Sequence, residues 1–440
     1  MLILLMPQST SWADDSPYTE NRHRLALKQS MKTMTADQFA EFSQGRRLFE
    51  QMWVIAPSLD DDIDGLGPLY NSISCLQCHP ANGRGHAPDK PEQKLDAMLV
   101  RLSQLDKKGN IITPHPVYGE QLQDKAVPSV KAEGHVSMAY RYFNVTLKDG
   151  TAVPMREPKV MLSQAAYTDF SDVLTSARIG PALIGMGFIN AIPAEQIIAN
   201  ADPDDLNGDG ISGRVNWIKD SMTGLTHIGR FGYKANVASL KAQVVNAFHG
   251  DLGITSSIHP KENCTLVQSD CLKALSGGEP ELREAQLNAV TVYMQLLAIP
   301  KPLSIDNEQL LLGQQMFNKS NCLACHHAKF TTSKETKPQQ LASTTISPYS
   351  DFLLHDMGEG LADGRPDQGA TGREWRTTPL WAIGLSKIVN SHANYLHDGR
   401  ARTLLEAILW HGGEAQASQQ AVINMSSEQR EALLNYLQRL

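Results

Sequence analysis

Two short motifs, Cys75-Leu76-Gln77-Cys78-His79 and Cys322-Leu323-Ala324-Cys325-His326, constrain this chain more than any other feature of its sequence. In Cys-x-x-Cys-His, two thiols at fixed spacing add to the vinyl groups of a haem, and the adjacent imidazole supplies an axial ligand to its iron. Zinc sites and thioredoxin-like dithiols share the cysteine spacing, but two copies, each closed by His, point to two covalent haems. Proximal ligation does not separate an electron carrier from an enzyme, because that depends on what lies on the opposite face of each iron.

The surroundings of the motifs repeat as well. Each is preceded by a Gly-x-x-x-Phe helical segment, Gly45-Arg46-Arg47-Leu48-Phe49 and Gly313-Gln314-Gln315-Met316-Phe317. Each half closes in an amphipathic helix with a Tyr among leucines, Leu287 to Leu297 around Tyr293 and Glu428 to Leu440 around Tyr436. These pairs fit the cytochrome c plan, in which an N-terminal and a C-terminal helix cross at a Gly that lets the backbones approach. Ile299-Pro300-Lys301-Pro302 ends one helix and stiffens a linker. The expected division is a leader at residues 1–13, a first haem domain at 14–302 and a second at 303–440. More than two hundred residues separate His79 from Leu287, so the first unit carries a long insertion. Alternation over Tyr140 to Leu147, followed by Lys148-Asp149-Gly150, predicts a β-hairpin there. The expected fold class is mainly α: two cytochrome c-like domains, the first enlarged by an insertion with a small β element.

A formal net charge of −7 with no Lys/Arg-rich run argues against nucleic acid as a partner. The apolar start, Met1 to Met6, and Ser11-Trp12-Ala13 read as a truncated secretory signal, with a frayed terminus as the alternative. No later stretch approaches the roughly 20 apolar residues of a bilayer span, so a soluble periplasmic protein is expected. Cys264 and Cys271 stand outside the motifs, as a disulfide suited to that oxidising compartment or as buried free thiols. Asp205, Asn207 and Asp209 occupy the first, third and fifth positions of a calcium-type loop with Gly210 at the sixth, though Asn216 replaces the usual Glu at the twelfth. An Asx-rich turn is the other reading.

Several longer stretches resemble the di-haem oxidoreductase family of peroxidase type: Asp64 to Asn71, Asn82-Gly83-Arg84-Gly85, Arg230 to Ala235, Gly250 to Thr255, Tyr395 to Ala401 and Trp410 to Gly413. More distantly the pattern is similar to bacterial di-haem cytochrome c peroxidases and MauG-type enzymes. The resemblance implies that the C-terminal haem stores an electron equivalent under a distal ligand at the position of His411, where relatives have Met or Tyr; Met357 is the other candidate. It implies that peroxide is reduced at the N-terminal haem, with Gln243 and Asp251 on the proton-handling Gln and carboxylate, and Tyr233 where relatives place a Trp bridging the haems. It also raises the expectation of calcium. His86, His135 and Met186 are candidates to face the first iron. The partners expected are peroxide, or another substrate, and a small periplasmic electron donor of cytochrome or cupredoxin type. A pure electron carrier with two six-coordinate haems, a haem-bearing sensor and a MauG-like oxidant of a protein are the rival readings.

Overall fold

The computed structural model describes residues 17–327 and 329–440, so the expected leader lies outside the described residues. Local sequence starts the long helices. Thr35 and Gln38 form a reciprocal capping box on α1 (Ala36–Glu50). Ser239 caps α2 (Leu240–Leu252) by accepting from the Ala242 N–H. α3 (Glu284–Gln295) follows, and Asn307 caps α4 (Glu308–Lys319) through the Leu310 N–H. Thr403 caps the short α5 (Leu404–Leu409), and Ser426 with Gln429 boxes the start of α6 (Ser427–Leu437).

The helices pack as two equivalent crossings, α1 on α3 and α4 on α6. A Cβ on Gly45 would lie 1.9 Å from the Ala289 carbonyl oxygen, and one on Gly313 would lie 2.1 Å from that of Ala432. Only glycine permits backbones that close. Beside each crossing an aromatic pair fills the angle, Phe49 with Tyr293 and Phe317 with Tyr436, both at ring-centroid distances of 5.5 Å.

Between α1 and α2 the chain builds sheet. β1 (Met98–Leu105) turns Met98, Val100 and Leu102 inward. A hairpin of β2 (His135–Thr146) and β3 (Ala152–Ser163) pairs from His135↔Ser163 to Thr146↔Ala152. β4 (Val173–Ile179) returns to pair antiparallel with β1. The tip of the hairpin reaches the second half: Leu147, Val153 and Met155 share a buried cluster with Phe317, Trp410 and Tyr436. There Arg430 donates to Asp149 at 2.6 Å, and the buried Arg156 donates to the carbonyls of Gly399 and Arg400.

These strands correct the expected fold class. The molecule is 28% helix and 18% strand, which is not mainly α. The expected hairpin is present, but it is longer than the predicted segment, and it stands beside the β1–β4 pairing that the helical reading of the insertion overlooked. Long-range pairing between residues some 75 apart leaves little local trace. Among the described residues no helix is long and apolar enough to cross a membrane.

Candidate functional site

The first motif opens on a cavity of about 620 Å³. Ser74 caps the short helix Cys75–Cys78 and turns both cysteines and His79 toward that space. His79 Nδ1 lies 2.7 Å from the Pro181 carbonyl oxygen, which can only accept. Nδ1 therefore carries the hydrogen, and Nε2 presents a lone pair that no described residue engages. Desolvation pushes the imidazole down to about 4, against the pull of that carbonyl, so the ring is neutral. Burial likewise pushes the Cys75 and Cys78 thiols up to about 12.

Gln243 and Asp251 come to the same cavity from one face of α2, together with Gln121, Met186 and Tyr233. Asp251 Oδ1 accepts from Gln121 Nε2 at 3.0 Å. Desolvation holds this carboxyl above the ordinary range, against the opposing effects of Gln121 and Arg101. It is suited to hold a proton and release it.

The second motif opens on a smaller cavity of about 200 Å³. His326 Nδ1 donates to the Tyr349 carbonyl at 2.8 Å, repeating the His79 arrangement. His411, just past α5, donates from Nδ1 to the Ala407 carbonyl at 2.9 Å and lines the same cavity. Two neutral imidazoles therefore face it with free Nε2 atoms: desolvation lowers both, His326 to about 4. Met357 also lines this cavity. Behind Cys325, His355 is clamped by Asp351 at 2.8 Å and Glu414 at 2.6 Å. Desolvation pulls its pKa down, but hydrogen bonds to Asp351, Cys325 and Glu414 win and lift it to about 12.

Arg84, Tyr233, Arg376, Thr378 and Ile383 line both cavities and so form their common wall. Arg84 donates to the carbonyls of Asn394 and Leu396, and Arg376 to those of Gly232 and Thr377; neither guanidinium pairs with a carboxylate of the described residues. Desolvation pushes Arg376 down to about 10. The Tyr233 hydroxyl is buried there without a hydrogen bond. Cations withdrawn from water without an anion are costly. A haem in each cavity would bring carboxylate propionates to this wall, iron to the free imidazole nitrogens and vinyl groups to the paired thiols, so the donor set fits two haems.

Among the other expected residues, Cys264 and Cys271 are joined in a disulfide. In the acidic loop, Asp205, Asn207 and Asp209 accept from the backbone N–H groups of Gly210, Asp209 and Ile211 respectively. His86 packs on His392 outside the first cavity, and His135 is exposed at the start of the hairpin. Met186 alone of those three lines the first cavity. Sequence reasoning missed the work of Arg84, Arg376, Gln121 and His355. The carboxylate nearest Arg376 in sequence, Glu374, is taken by Arg214 instead, so sequence neighbours give no sign that the two arginines lie buried without a carboxylate partner among the described residues. A further stack, Trp375 on His397 at 3.7 Å with Lys234 over the indole at 4.4 Å, braces the second cavity.

No curated protein matches the chain by sequence. Among solved structures, Kuenenia stuttgartiensis hydrazine synthase pressurised with xenon is 12% identical, with 100% of this chain and 99% of that chain covered and a TM-score of 0.37. A MauG-like protein associated with microbial copper homeostasis is 14% identical, covering 57% of this chain and 87% of that one, with a TM-score of 0.28. Likenesses this faint carry no weight for fold or function. The family described as "Di-haem oxidoreductase, putative peroxidase" is different, because its sequence profile matches residues 10–440. With two cavities suited to haem and a match over nearly its whole length, the chain belongs to the di-haem oxidoreductase family and is an enzyme with haem cofactors.

Proposed function

We propose that this is an exported c-type oxidoreductase that reduces peroxide at its first cavity with electrons received through its second half, the two haem-bearing units meeting near residue 302. The observation that carries this reading is that His79, Gln243 and Asp251 share one large cavity while His326 and His411 share a small one. On this reading, Cys75, Cys78 and His79 would hold one haem, and Cys322, Cys325, His326 and His411 the other. Bound haem would supply one-electron redox chemistry at its iron.

The rest falls to this chain's residues. The carbonyls of Pro181 and Tyr349 fix the tautomers of His79 and His326, so that Nε2 is the ligand atom in each. Asp251, anchored by Gln121, keeps its second oxygen free to give and take a proton, and the Gln243 amide orients the bound oxidant beside it. Apolar side chains of Phe49, Leu183, Phe231 and Phe248 line the rest of the cavity. Tyr233 lines both cavities, and its desolvated phenol makes no hydrogen bond to a described residue that could take its proton, which favours a bridging role over a stored radical. The Cys264–Cys271 disulfide supports a periplasmic location, where a small cytochrome or cupredoxin serves as donor.

One observation favours a second reading. The Met186 side chain faces the first cavity, and a thioether bound there would close the site and leave an electron carrier. Steady-state peroxide reduction by the holoprotein decides between them. Turnover that falls roughly 10²-fold or more in Asp251→Asn supports catalysis. Absence of turnover in the natural protein, acquired when Met186 is replaced by Ala, supports the carrier.

A further inference from the structure

The first cavity extends past the residues used above to a polar rim. There His249, near the end of α2, stacks on His259 of the following loop, with ring centroids 4.6 Å apart and planes 23° apart. Both rings line the cavity with Asn246, Gln243 and Asp251, and both are also partly exposed to solvent. His249 Nε2 lies 3.1 Å from the Lys261 carbonyl oxygen, and His259 Nε2 lies 2.8 Å from Asn246 Oδ1. Those oxygens accept, so each Nε2 keeps its hydrogen and each Nδ1 presents a lone pair that no described residue engages. Two residues beyond His249 on α2, Asp251 has Oδ1 held by Gln121 and an Oδ2 that no described residue hydrogen-bonds.

We propose that His249 and His259 form a proton-transfer station at the mouth of the first cavity, passing protons between bulk solvent and the free Oδ2 of Asp251. The step is a proton transfer only. A proton from bulk water binds Nδ1 of a ring, crosses the cavity, and protonates the Asp251 carboxylate, which regenerates the neutral imidazole. This rests on the reading of Asp251 as the proton-handling carboxyl.

The surrounding charges support it. Burial lowers His249 to about 4 and lowers His259, while it raises Asp251, so donor and acceptor approach one another in proton affinity. Glu120 pulls both histidines upward, and Arg101 pairs with Glu120. Lys261 sits beside His249, and Lys219 and Asp220 are further charged residues on the wall of the cavity. The stacked partner also lowers His249, so a charge on one ring disfavours a second charge on the other.

The test needs no turnover. Ferric holoprotein in weak buffer at pH 7 is mixed with reduced methyl viologen, which donates electrons without releasing protons, and a pH-indicator dye follows proton uptake. In H249Q/H259Q the uptake should slow roughly 10²-fold with unchanged amplitude and haem spectrum, and added imidazole should restore the rate. The single variants should show the same defect in smaller measure. Uptake as fast in the double variant as in the natural protein would overturn the proposal. So would slow uptake that imidazole does not rescue, since that marks a structural role. If the natural protein takes up no proton on reduction, the reading of Asp251 fails, and the station with it.

Discussion

In the first half, His79 shares about 620 Å³ with Gln243 and Asp251, and the His249–His259 stack lines the rim of the same cavity. In the second half, His326 and His411 share about 200 Å³. Three features of the motif side are alike: a Gly at a helix crossing, a Phe–Tyr pair beside it, and a carbonyl that fixes Nδ1–H. What differs comes from elsewhere in the chain. The first cavity draws its far wall from α2 and the inserted segments, whereas the second takes His411 from the turn after α5. One scaffold used twice therefore diverges where the opposite face is built, and on the proposed function that difference leaves one site open and the other closed.

The largest effect expected concerns the closed side. His411→Gly should convert the second haem from low to high spin in the ferric optical spectrum and leave the signal of the first unchanged. An unchanged spectrum would break the contrast, and Met357 would then take the ligand's place. Next is His355, which stands between two carboxylates in the second half only. His355→Gln leaves Asp351 and Glu414 buried without their cation, and urea denaturation should show a loss of about 3–5 kcal/mol. Because the folded pKa of His355 is raised to about 12, its contribution is fully present below its ordinary 6.5 and fades as pH rises toward 12. The variant's deficit should therefore shrink at alkaline pH. The smallest effect tests the shared scaffold: Gly45→Ala and Gly313→Ala should each destabilise by about 1–3 kcal/mol, since each adds a methyl against a carbonyl. Sharply unequal values would mean that the two crossings are not equivalent.

Much of the scaffold was legible because its signals are local. Gly45 and Gly313 announce close crossings, and the alternation before Lys148-Asp149-Gly150 announces a hairpin. The β1–β4 pairing was not, although Met98, Val100 and Leu102 alternate inward, because its partner lies far along the chain and Arg101 and Arg178 interrupt the apolar pattern. In the site, Gln243 and Asp251 were reached through family resemblance. Their spacing on α2 alone would not have singled them out. The common wall was invisible for a physical reason: Arg84 and Arg376 matter because they lack carboxylate partners in space, and sequence records neighbours along the chain only.

The claim that one site is open and the other closed is tested most directly by electron paramagnetic resonance of the ferric holoprotein at neutral pH. The account predicts one high-spin and one low-spin haem in equal amounts, with the high-spin signal lost on adding a small anionic ligand such as azide. Two low-spin haems and no response to azide would contradict it.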